Sequence, residues 1–105
     1  NCIIDSNTVT QNSGANAIYV GNEADTTIVR NNNVVNTDNS SIEIDYSDNC
    51  IIDSNTCQAK NSSTGYGIDI NNGSLNAVVR YNYLKSCKKA GIKIADAATD
   101  NWFIT

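Results

Sequence analysis

The chain has 105 residues, carries seven Lys and Arg against eleven Asp and Glu for a formal charge of −4, and contains no His, Pro or Met. That length bounds it to a single structural unit, residues 1–105, and the absence of His removes the commonest general base and metal ligand together. Its basic residues are spread along the sequence with no basic stripe interleaved with aromatics, and no apolar run is long enough for a membrane span, so neither nucleic acid nor membrane is expected as a partner.

In chain order, residues 2–9 read Cys-Ile-Ile-Asp-Ser-Asn-Thr-Val: an apolar pair, a polar corner at Asn7, and a second short apolar stretch. Residues 17–20, Ala-Ile-Tyr-Val, form a second frame with apolar residues two apart. The same two frames return at 27–34 and 41–44, at 50–57 and 67–70, and at 77–84 and 91–94, and 102–105 opens a fifth copy. Asn7, Asn32, Asn55 and Asn82 recur at intervals of 25, 23 and 27 residues. Two-residue alternation predicts short strands and no helix. A period near 25 built from such strands marks a solenoid. The lack of Pro suits a sheet in which every backbone amide meets a neighbouring coil, and the abundance of Asn, Ser, Thr and Asp suits tight corners.

The first frame keeps an apolar residue, an Asn three later and another apolar residue two beyond: Ile4/Asn7/Val9, Val29/Asn32/Val34, Ile52/Asn55/Cys57 and Val79/Asn82/Leu84. Stacked coils lie about 4.8 Å apart, so the four Asn are expected to form a column bonded amide to amide. The second frame adds inward columns Ile18/Ile42/Ile68/Ile92 and Val20/Ile44/Ile70/Ile94. Three short strands per coil with apolar columns describe a parallel β-helix of about four coils of 23–27 residues. Terminal repeats normally differ and cap the core, so the chain reads as a section of a longer β-helix.

The string N-x-x-I-x-x-N-x-[IVCL] … G-I-x-I resembles the repeat of the pectate-lyase-like superfamily, and the resemblance runs through the whole chain about four times. It implies an all-β, right-handed parallel β-helix, as parallel crossovers almost always are. The superfamily holds polysaccharide lyases, glycosidases, epimerases and phage tailspikes. The resemblance therefore implies a polysaccharide-directed protein that is extracellular, at a cell surface or on a virion. Its alternative is a non-catalytic structural or adhesive stalk that self-associates, for instance as a trimer, or packs on the rest of a longer chain. The repeat is specific for fold only, and function must come from a site.

Three outward columns are candidates. The middle position of the Ile-x-Ile frame reads Tyr19, Glu43, Asp69, Lys93 up the stack. Neighbouring rungs bring Glu43 and Asp69 to roughly 5 Å at the backbone, near the separation of about 5–5.5 Å between carboxyl groups in retaining glycosidases. They are the candidate catalytic acid and base. Tyr19 would stack a sugar ring, Lys93 would neutralise an acidic sugar, and Asp45 would add a third carboxylate to the substrate site. The column Asp5, Arg30, Asp53, Arg80 alternates in sign, as an ion-pair ladder demands. A lyase-like Arg base would need that face open. Between these columns runs an outward apolar row, Ile3, Ile28, Ile51, Val78 and Phe103, which suggests a covering partner. The four Cys are expected to be free, with Cys57 in the Val9/Val34/Leu84 column, and no CxxC pair points to zinc. Calcium is the one cofactor that the Asp-rich corners at 45–48 and 96–100 suggest, although neither follows a calcium-loop pattern.

Overall fold

The computed structural model describes residues 2–10, 14–95 and, as backbone, 102–104. The first coil holds β1 (Ile3–Asp5), β2 (Thr8–Thr10) and β3 (Ile18–Val20); the second holds β4 (Ile28–Arg30), β5 (Asn33–Thr37) and β6 (Ile42–Asp45). The third holds β7 (Ile51–Asp53), β8 (Thr56–Ala59) and β9 (Tyr66–Asn71); the fourth holds β10 (Val78–Arg80), β11 (Tyr83–Leu84) and β12 (Ala90–Ile94); β13 (Trp102–Ile104) follows. Every pairing is parallel and links a strand to its counterpart one coil away. The result is three sheets, β1-β4-β7-β10-β13, β2-β5-β8-β11 and β3-β6-β9-β12, wound as a parallel β-solenoid.

The strands are short because the corners come quickly. Ser6, Asn31, Ser54 and Tyr81 all sit in the left-handed region, at φ of 59°, 56°, 57° and 56°. Each immediately precedes a ladder Asn, so one corner repeats in every coil and turns the chain from the first sheet into the second. A second left-handed column, Thr26, Asn49 and Asn76, turns it back into the first sheet.

Inside, Val29 and Ile52, Val34 and Cys57, Ile42 and Ile68, and Ile44 and Ile70 are fully buried. Each such aliphatic side chain contributes about 1.5–3 kcal/mol on leaving water. The Asn column fills the corner beside them. Asn32 Nδ2 donates to Asn55 Oδ1 (3.0 Å) and to the Ile4 carbonyl (3.0 Å), while Asn32 Oδ1 accepts from the backbone N–H (2.9 Å) and Nδ2 (3.1 Å) of Asn7. Asn55 repeats the pattern with Asn82 and the Val29 carbonyl. Polar groups that are 1–2% exposed are thus bonded through both donors and the acceptor.

Three details depart from the sequence reading, the first being that Ile92 and Ile94, expected to end the inward columns, are 40% and 42% exposed on the fourth coil. The register pairs Val78 with Trp102 and Val79 with Phe103, so Phe103 does not continue the Ile3 row. The interval from Val78 to its partner is 24 residues, which puts Trp102 on that row's register. In addition, β5 carries one extra residue between Val34 and Thr37 relative to β8, a bulge that the apolar pattern does not announce.

Candidate functional site

The third sheet builds the site. Ile18, Ile42, Ile68 and their partners two residues on point into the core, so alternation sends the residue between them outward. Register pairs Tyr19 with Glu43, Glu43 with Asp69, and Asp69 with Lys93. The turns leading from the second sheet into the third rise beside this column. Together they enclose an open hollow of about 300 Å³, lined by Glu43, Asp69 and Lys93, by Asn16, Asn39, Ser40, Ser63 and Thr64 from the turns, and by Tyr66 at the head of β9.

Glu43 is held by amides: Asn71 Nδ2 donates to Oε1 at 3.0 Å and Asn16 Nδ2 donates to Oε2. Asn16 is itself anchored, its Oδ1 accepting from the Ser40 backbone at 3.0 Å. Asp69 is 5% exposed. Its Oδ2 accepts from Ser40 Oγ at 3.4 Å, whereas Oδ1 has no hydrogen-bond partner and faces Lys93 Nζ at 3.4 Å. Lys93 is also occupied elsewhere, donating to Asn71 Oδ1 at 3.1 Å with its Nζ 5.2 Å from the centroid of the Tyr66 ring.

Two of the five proposed site residues lie apart from the hollow. Tyr19 Oη donates to Asp45 Oδ2 at 2.7 Å, a bond that pushes the phenol's pKa up. The Tyr19 ring lies over Gly21, where any added Cβ would collide with it, and lines a separate recess with Cys2, Ile4 and Ala24. Asp45 also accepts from Asn72 Nδ2. Sequence reasoning missed Asn16, Ser40, Tyr66 and Asn71. Only Asn71 left a signal, as the residue that directly extends the Ile-x-Ile frame on the register of Asp45.

The alternating column forms discrete pairs: Arg30 Nε to Asp5 Oδ2 and Arg80 Nε to Asp53 Oδ2, each at 2.9 Å. Both arginines are therefore engaged. The Asp5 carboxyl is held below the usual range, most by the hydrogen bond from Ser6 and next by Arg30. For Asp53 the Ser54 hydroxyl lowers it most, partial burial opposes, and Arg80 adds. On the outer row Ile3 is 58% exposed, while Ile28, Ile51 and Val78 are half-buried. All four Cys are free, and burial pushes the Cys57 thiol up to about 12. No cluster of acid, His or Cys side chains among the described residues could hold a metal ion; the corner at 96–100 lies outside them.

The lysines, unlike the two arginines, are gathered in space. All five lysines belong to the third and fourth coils, on the second-to-third-sheet turn or the third sheet itself. Lys60 N–H donates to the Thr37 carbonyl and Lys88 N–H to the Ala59 carbonyl, which sets Lys88 one rung from Lys60. Lys85 and Lys89 flank Lys88 in the same turn, and Lys93 follows on β12. Glu23, Asp25 and Asp48 gather at the turn out of the third sheet, around a different hollow.

The family described as a right handed beta helix region matches residues 1–105, the whole chain. No curated protein and no solved structure matches the chain.

Proposed function

Because the chain belongs to the right-handed β-helix family, whose coils are a scaffold for side chains displayed on their faces, we propose that it is a polysaccharide-directed β-helix that takes a sugar unit in the hollow over its third sheet. The observation that carries this reading is the lining of that hollow. Amides, hydroxyls and two carboxylates converge on about 300 Å³ beside the Tyr66 ring, the mixture of hydrogen-bonding groups and one aromatic face that a sugar's hydroxyls and C–H faces require. Glu43 and Asp69 are adjacent on the register, and they are the pair that would act on a glycosidic bond. On this reading the protein works outside the cell or on a virion, where such polymers are met.

The test is polymer size by gel filtration after incubation with neutral and acidic polysaccharides, beside retention of the protein on each polymer. Retention lost in Glu43→Gln and Asp69→Asn, with unchanged melting temperature, supports the site. A fall in polymer size that those variants abolish adds cleavage. Retention on no polymer removes the reading.

A second reading, a self-associating stalk, draws on the first sheet's outer face. The column from Asp5 to Arg80 reads minus, plus, minus, plus. On a copy turned end over end it reads the reverse, so opposite charges meet at every height while Ile3, Ile28, Ile51 and Val78 meet their own row. A same-sense two-fold arrangement that set this column against itself would oppose like charges. A dimer by sedimentation, dissociated by Ile28→Asp, is the expected result on this reading; a chain that is monomeric before mutation excludes it.

A further inference from the structure

Lys60, Lys85, Lys88 and Lys89 are all exposed, and none has an ion-pair partner among the described residues. Lys88 stands one rung from Lys60, and like charges at that spacing repel. Three of the four fall within the five residues between β11 and β12. On its other side Lys60 stands one rung from Asp38, whose carboxylate accepts from the Gly14 N–H one coil further on. Glu23, Asp25 and Asp48 gather at another turn, so the three lysines between β11 and β12 remain unpaired in a chain whose formal charge is −4. A repelling cationic corner in an acidic molecule is relieved by an anion that spans several of its ammoniums.

The corner also borders the hollow. Lys89 N–H donates to the Gly65 carbonyl, beside Ser63 and Thr64 of the lining, and Ala90 pairs with Tyr66. Within the hollow the charged groups are Glu43, Asp69 and Lys93, and Lys93 is committed to Asp69, Asn71 and the Tyr66 ring. Lys93 is thus the one cation within the hollow, and the corner supplies four more at its border. We infer that the polymer is an acidic glycan, recruited by the exposed corner of Lys60, Lys85, Lys88 and Lys89 and laid along it so that one unit enters the hollow. The inference rests on the polysaccharide reading and adds the charge class and the recruiting residues. Nucleic acid is the competing polyanion. It fits less well, because four lysines confined to one corner make a far shorter basic track than a phosphate backbone with one charge per roughly 1.7 Å of duplex calls for.

The experiment compares polyuronates with their own carboxyl-reduced forms, polymers of identical linkage that differ only in charge, by retention at low salt. We expect each acid form to bind at least tenfold more tightly than its reduced form, and 0.5 M salt to remove the difference. Lys88→Gln with Lys89→Gln should remove most of it too. Thr8→Glu with Thr10→Glu, which changes net charge equally on exposed residues of β2, should leave it intact. All variants are checked for unchanged unfolding midpoints. Equal binding of acid and reduced forms overturns the inference and leaves the polysaccharide reading standing. Duplex or single-stranded DNA binding as tightly as the best polyuronate overturns it in favour of nucleic acid. Binding of no polymer in either form removes the polysaccharide reading and the inference with it.

Discussion

Asn55 is the residue on which most of the corner depends. It is 1% exposed and bonds to Asn32, Asn82 and the Val29 carbonyl at once. Asn55→Ala leaves those partners buried without their bonds, at roughly 1–3 kcal/mol for each unsatisfied group; we expect a drop of that order or more in urea unfolding. Asp5 and Asp53 set the acid limb of stability. Both are depressed in the folded state, so the unfolded chain binds protons first, and their stabilisation is complete above the ordinary aspartate range and lost as the pH falls through the lower folded values. The Asp5→Asn, Asp53→Asn double variant should lose less stability than the parent between neutral pH and pH 3. The thiols are graded by access. Cys2 is exposed, whereas Cys50 and Cys57 are buried and their thiolates disfavoured by burial. Brief alkylation followed by mass spectrometry should label Cys2 and spare Cys50 and Cys57 until the chain unfolds.

At the scale of the strand and its corner, the repeating left-handed position explains why β1, β4, β7 and β10 are each only three residues long. Ser, Asn and Ser occupy it in the first three coils, and Tyr81 in the fourth. An L-residue with a bulky side chain is strained there, whereas Asn is tolerated. Tyr81 is 64% exposed and has little packing to lose. Tyr81→Asn should raise stability by about 0.5–1 kcal/mol in urea titration; a loss would mean that the ring contributes packing its exposure conceals. This scale also separates what was legible in the sequence from what was not. The inward columns and the Asn ladder were legible, because period-two alternation and a repeated Asn translate directly into register. The β5 bulge, the wall made by Asn16 and Ser40, and the folding of the Tyr19 ring onto Gly21 depend on turns of unequal length, which no periodicity encodes. The lysine corner was hidden for a related reason: Lys60 and Lys88 become neighbours only once coils are stacked.

The molecule as a whole is one continuous core, and each coil buries its apolar columns only by touching the next. A stack this short is expected to unfold as a unit. Trp102 is the only tryptophan and lies in β13, paired with β10. Its fluorescence and the far-ultraviolet circular dichroism should therefore trace one urea transition with a common midpoint. An earlier fluorescence change would mean that β13 detaches independently. Ile52→Ala, from the centre of the stack, should lower that common midpoint by the equivalent of about 2–5 kcal/mol.

The ion-pair column gives the fold a parity. Every coil offers its neighbours the same Asn ladder and the same apolar columns, so tandem duplication or loss of a whole coil keeps the fit. Removing residues 28–50, for example, would set Asn55 on Asn7 and Ile52 on Ile4. It would also set Asp53 on Asp5, replacing an ion pair with a like-charge contact at roughly 0.2–1 kcal/mol. Coils that come or go in twos preserve the alternation of Asp5, Arg30, Asp53 and Arg80. For this solenoid the heritable unit of growth that costs no electrostatic repair is a pair of coils.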